Sequence, residues 1–238
     1  MTAPPTVLEG RFGFFQAWCG DRADPTRVVT HLGTQWEILD AVFKPYPCNH
    51  FAHAAVDAAI SLRERHLDIS QVKSIRLGLP AAVVRTLGEP PELKRLPPTG
   101  YAAAFSGPYI VAVALIGGGG LGLWLDDFSD ARLMEPEVRR LSALTSCYSD
   151  EWCSSLFPTQ FPAVLHVEML DGTVEIERVA ASRGGFQRPL TDAELAVKFR
   201  LNAERFMSAG SVGALKEAIE RIDDATSVKD IVRLAGTQ

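Results

Sequence analysis

The chain has 238 residues, of which 47% are apolar and 22% charged, with a formal net charge of −5. That composition supports a real core in one large or two small domains, and the acidic balance with no basic stripe or aromatic–Arg repeat argues against nucleic acid as a partner. The longest apolar run, Tyr109 to Ile116, is too short to span a bilayer, and the opening MTAPPTVLEG has neither the basic nor the apolar region of a signal peptide. The expectation is a cytoplasmic protein, without membrane attachment, whose dispersed cysteines (Cys19, Cys48, Cys147, Cys153) are reduced thiols.

In chain order, residues 1–10 read as a loose lead-in, and Arg11 to Trp18 and Thr26 to Leu32 as short helices. Gln35 to Phe43 alternates weakly, as a strand does. Asn49 is placed to cap a helix whose Ala55, Ala58, Ala59 and Leu62 recur at i, i+3, i+4 and i+7. Val72 to Leu79 reads as a strand, with Val72, Ser74 and Arg76 on one side and Lys73, Ile75 and Leu77 on the other. The Pro- and Gly-rich stretch 86–100 reads as a long ordered loop. Ser106-Gly107-Pro108 is a helix start for the apolar run from Tyr109, and glycine ends it. Glu135 to Thr145 is an amphipathic helix. Leu165, Val167 and Met169 alternate with Val164, His166, Glu168 and Leu170, and Asp171-Gly172 predicts a hairpin into Val174 and Ile176. Thr191 and Glu194 form a capping box flanked by Leu190 and Leu195, which opens a helix lined by Leu195, Phe199, Ala203 and Phe206; two more helices over 211–222 and 226–235 follow. The fold class read from this order is α+β, a mixed middle flanked by helical segments.

Three constellations carry candidate chemistry. KPYPCNHFAH holds Lys44, Cys48, Asn49, His50 and His53. As a metal site, Cys48, His50 and His53 lack the fourth ligand of a structural zinc centre, and no second Cys/His cluster lies near in sequence; no metal is expected. His50, His53 and Asp57 fall on one helical face, where Asp57 could orient His53, and Lys44 is stiffened by Pro45 and Pro47. A fixed cation at a helix start suits a carboxylate; the plainer alternative is a surface lysine beside two partnered histidines. Second, Gly117, Gly119 and Gly122 satisfy G-x-G-x-x-G, but the run before them reads as a helix and LWLDDFSDARL after them is a poor phosphate-binding opening. No nucleotide or other cofactor is expected. Third, Tyr109 in the first turn of the apolar helix, after Ser106, could donate a hydrogen bond to a substrate oxygen or act as an acid, or could be a core tyrosine with a satisfied hydroxyl.

KPYPCNHFAHAAVDAAISL, AAAFSGPYIVAVALIGG and VEMLDGTVEIERV followed by PLTDAELAVKF resemble, in order and spacing, segments of the MmgE/PrpD family. The resemblance runs from about Leu8 to Ala235. It implies cofactor-free and metal-free lyase or epimerase chemistry on a small polycarboxylate such as 2-methylcitrate or cis-aconitate. It also implies a lid domain inserted into a helical domain, with the active site between them, in a homodimer. Carried over, Lys44 and Tyr109 match the family's active-site lysine and tyrosine. His53 joins them as a candidate catalytic residue, with Cys48, Asn49, His50 and Ser106 as candidate substrate contacts. On this reading residues 1–38 are a helical-domain remnant, 39–188 the α+β lid, and 189–238 helices returning to the helical domain. The family's N-terminal helical body, with its own acid–base residues and second lysine, has no match here, so activity is expected to need a helical-domain subunit. The alternative is a catalytically inactive truncated fragment that binds a polycarboxylate or only dimerises.

Overall fold

The computed structural model describes residues 2–236. The chain divides into two compact units, one up to Ala41 and one from Val42 onward. In the first, helix α1 (Phe14–Cys19) is joined by short 3-10 turns at Gly20–Arg22, Pro25–Val28 and Glu37–Asp40. The expected helix over Thr26 to Leu32 is therefore a single turn capped by Asp24, and the expected strand over Gln35 to Phe43 does not form. Among the described residues of this unit only Gly13 is buried. Without an apolar face to pack against, weak alternation has nothing to organise.

The second unit is α+β. Strands β1 (Val72–Leu79), β2 (Thr145–Ser149), β3 (Ala163–Met169) and β4 (Val174–Val179) make one sheet in the order β2-β1-β3-β4. β1 pairs parallel with β2 and antiparallel with β3, and β3–β4 is the hairpin expected at Asp171-Gly172. Thr173 N–H donates to Asp171 Oδ1 at 2.8 Å in that turn. On β3, Leu165, Val167 and Met169 are buried as the alternation predicts, while His166 and Glu168 are half-buried. On β1 the parity breaks. Val72 is buried together with Ile75 and Leu77, because a register shift between Val72 and Ser74 inserts a bulge that strict alternation does not foresee.

The core is built by α2 (His53–Glu64), which packs against β3 and β4, and by the apolar helix α6 (Gly107–Ile116), which packs against α2. α6 is buried from Gly107 to Leu115, so it carries no polar face at all. The alanines of α2 (Ala54, Ala55, Ala58, Ala59) are fully buried, and small side chains there leave room for a neighbouring helix. Arg63 donates to the Ala114 carbonyl at 2.9 Å, near the ends of both helices. Between β1 and α6 the chain is more helical than its composition suggests. α3 (Ala81–Gly88), α4 (Pro91–Arg95) and α5 (Gly100–Ala103) run through the segment expected to be one loop, with Pro91 in the first turn of α4, where its missing N–H is harmless. α7 (Asp130–Leu133) and α8 (Pro136–Leu144) lead into β2, and α9 (Glu151–Leu156) follows it. The last three helices are α10 (Asp192–Ala203), α11 (Ala209–Glu220) and α12 (Lys229–Gly236). The capping box predicted for α10 is present, with Glu194 N–H donating to Thr191 Oγ1 at 3.2 Å and Thr191 N–H to Glu194 Oε2 at 2.9 Å. No helix among the described residues is long and apolar enough to cross a membrane.

Candidate functional site

The segment before α2 is locked from both ends. Tyr46 is buried and its hydroxyl donates to Asp57 Oδ1 at 2.5 Å. Asn49 Oδ1 accepts from Phe51 N–H at 3.0 Å, capping a 3-10 turn (His50–Ala52) that runs directly into α2. Asn49 N–H donates to the Ala104 carbonyl at 2.9 Å. Cys48 is buried, and burial pushes its thiol up to about 12 despite nearby Lys44, so it is an inert thiol at neutral pH.

These constraints bring Lys44, Cys48, Asn49, His50 and His53 into one region. Lys44 is exposed, and among the described residues no carboxylate pairs with its ammonium. His50 is half-buried, with its ring centroid 4.8 Å from that of His53 and 5.0 Å from that of Phe161. His53 is fully buried between His50 and Tyr46, whose ring lies 5.3 Å away. Its Nε2 is 3.4 Å from the Cys48 carbonyl oxygen, and its Nδ1 has no partner among the described residues. Burial pushes the His53 imidazole down to about 3, with the positive fields of His50, Lys44 and Lys198 adding to it against the Cys48 carbonyl. His50 is lowered by burial and then by Lys44. At neutral pH the region therefore holds ammonium charge and two neutral imidazoles, an arrangement that attracts an anion and leaves half-buried His50, not buried His53, as the imidazole open to a proton. His50 also lines a groove of about 210 Å³ with Val42, Phe161 and Phe186.

Asp57 does not orient His53. Its carboxylate takes the Tyr46 hydroxyl, the Arg183 N–H at 2.8 Å and Nε–H at 3.1 Å, and Arg188 at 3.3 Å. The i, i+3, i+7 spacing puts Asp57 on the right face of α2, but it lies a full turn beyond His53 and its oxygens are already occupied. Arg183 continues the network to Glu194 Oε1 at 2.7 Å and the Leu121 carbonyl at 2.9 Å, and its guanidinium also donates to the Tyr46 hydroxyl. One turn after Glu194 on α10, Lys198 Nζ donates to the Lys44 carbonyl at 2.6 Å. Sequence reasoning missed Arg183 and Lys198, which are 126 residues from Asp57 and 154 from Lys44 respectively. Only the i, i+4 pair Glu194/Lys198 could have hinted that this face of α10 is used twice.

Tyr109 and Ser106 have partners of their own. Ser106 Oγ accepts from Tyr109 N–H at 3.0 Å as the cap of α6 and donates to the Lys94 carbonyl. The buried Tyr109 hydroxyl donates to the Asp127 carbonyl, and burial pushes it up. Tyr109 borders a separate groove of about 340 Å³ with Arg95, Arg139 and Met134. The glycine run ends α6, with Gly117 at φ +118°. A carboxylate of the chain itself already sits there: Asp127 Oδ2 accepts from Gly119 N–H at 2.8 Å and from Trp124 N–H, just after the run, at 2.7 Å. At Gly122 a Cβ would lie 2.3 Å from Ile60 Cδ1, so that glycine serves helix packing rather than a phosphate.

The MmgE/PrpD C-terminal domain matches residues 46–224, three quarters of the chain. The chain belongs to the MmgE/PrpD family. Its relatives include cis-aconitate decarboxylase of Homo sapiens, 24% identical over 91% of this chain and 44% of that protein. The Mus musculus cis-aconitate decarboxylase is 25% identical over 82% of this chain and 39% of its own length. The cis-aconitate decarboxylase-like protein oryM of Aspergillus oryzae is 26% identical over 88% and 43%. The chain thus spans less than half the length of these curated relatives. All the candidate residues except Lys44 lie within the matched domain, which begins at Tyr46.

Proposed function

We propose that this MmgE/PrpD chain supplies the anion-binding wall of a lyase that dehydrates or decarboxylates a small polycarboxylate, and that a helical body outside these 238 residues supplies the facing wall. The observation that carries the reading is the exposed Lys44 ammonium, paired with no carboxylate among the described residues, whose field reaches two imidazoles kept neutral by burial. Loss of water or carbon dioxide from such a substrate builds negative charge next to a carboxylate. A cation fixed in advance stabilises that charge without reorganising. Lys44 holds a substrate carboxylate, and half-buried His50 is the imidazole that reaches the groove. His53, buried and held neutral, backs that ring rather than taking the proton itself, and Cys48 and Asn49 shape the floor. Tyr109 and Ser106 take part only from the second groove, through the support they give to α6. Family membership and the names of the decarboxylase relatives support the reaction class.

The test is turnover of cis-aconitate and 2-methylcitrate by the complex isolated with its co-purifying partners. Lys44→Ala is expected to lower kcat/KM by about a hundredfold or more, the scale of one lost charge-stabilising group. Turnover unchanged by Lys44→Ala, or no turnover of any polycarboxylate by the complete complex, overturns the reading.

A further inference from the structure

We propose that Lys198 is a second substrate-binding cation, which sets the site for ligands carrying at least two carboxylates. The inference rests on the lyase reading above and deepens it. α10 is anchored at Glu194 by Arg183, which is itself anchored on Asp57 of α2. One turn further along the same face, Lys198 reaches the Lys44 carbonyl at 2.6 Å. Residues four apart on a helix are neighbours, so the tie at Glu194 fixes where Lys198 emerges. Its ammonium thus stands beside the backbone of the residue whose own ammonium pairs with no carboxylate among the described residues. A single carbonyl uses one of its three N–H donors, and among the described residues no carboxylate pairs with it. The Lys198 field reaches His53, as does that of Lys44, so both cations act on the same imidazole.

Two ammonium groups beside neutral imidazoles match a dianion or trianion and leave a monocarboxylate undercompensated. Lys44 engages one carboxylate and Lys198 another, which fixes the orientation of the carbon skeleton as well as its charge.

Isothermal titration of the full chain with cis-aconitate, and with crotonate as a monocarboxylate probe, tests this. Lys198→Gln keeps an N–H donor for the Lys44 carbonyl while removing the charge, and Lys198→Arg keeps the charge. The expected result is that Lys198→Gln weakens cis-aconitate by about tenfold or more, the scale of one charge-assisted hydrogen bond. Crotonate should be weakened far less, and Lys198→Arg should restore most of the cis-aconitate affinity. Equal weakening of both ligands marks Lys198 as a structural tie and overturns the proposal. So does wild-type affinity in Lys198→Gln, or absence of cis-aconitate binding by the wild-type chain. If the expected binding pattern is found but the complete complex turns over nothing, Lys198 stands as a binding residue and the lyase reading alone falls.

Discussion

His53 has one ring nitrogen 3.4 Å from the Cys48 carbonyl oxygen and the other buried without a partner, so protonation would place a charge where no water can reach it. Its folded pKa, about 3, lies below the ordinary value of 6.5. Between those values the unfolded chain binds a proton that the folded chain does not, so stability is full above pH 6.5 and falls as the solution is acidified. Linkage puts the loss at about 2 kcal/mol between pH 7 and pH 5. Urea denaturation at the two pH values should show that loss in the wild type and much less of it in His53→Phe; equal losses would mean that His53 titrates normally. Asn49 as a cap was legible in the sequence because capping is local. The roles of Asp57 and Lys198 were not, since each is decided by a residue more than a hundred positions away.

At the scale of elements, the second unit is pinned by one polar junction. The 44–48 segment, α2, the loop carrying Arg183 and Arg188, and the start of α10 all meet at the Asp57–Arg183 pair. The Asp57 side chain is 3% exposed and that of Arg183 22%. Removing Asp57 takes away the buried acceptor that Tyr46, Arg183 and Arg188 share, and although Arg183 keeps Glu194, the donors left without it cost about 3 kcal/mol. Asp57→Ala should therefore lower unfolding free energy by that order. Asp57→Ala combined with Arg183→Leu should cost less than the sum of the single changes; additive losses would show that the two side chains act independently. Elements with their own signals were read correctly: the hairpin at Asp171-Gly172, the capped α10 and the glycine-terminated α6. α4 was hidden because its prolines look like loop residues unless they fall in a first helical turn. β2 was hidden because five residues are too few for a period to emerge.

At the scale of the molecule, the two units differ in what they bury. The unit from Val42 holds a continuous apolar cluster reaching from Tyr46 to Val179, whereas the first unit leaves Phe12, Trp18, Leu32, Trp36, Ile38 and Leu39 exposed. Backbone with few buried contacts opens at low free-energy cost. Amide hydrogen exchange should therefore be fast across residues 2–41 and slow in α2 and α6. Slow exchange in both would mean that the first unit has cover from another chain, as apolar patches of this size usually do.

The sheet order also fixes a sequence of events in time. The central strand β1 finds no partner in its own neighbourhood, since β2 and β3 both lie far along the chain. β3 leaves the ribosome on the order of 80 residues after β1, roughly 4–16 s at ordinary synthesis rates. Until β2 emerges, Ile75, Leu77 and Leu79 are made but unsheltered by strands on both sides, and until β3 emerges they stay open on one. Once β3 arrives, the β3–β4 hairpin closes locally and offers β1 a ready edge, so the last-made half of the sheet completes the first-made. Nascent chains halted before Ala163 are thus natural clients of chaperones that hold extended apolar segments, and chains halted beyond Val179 are not.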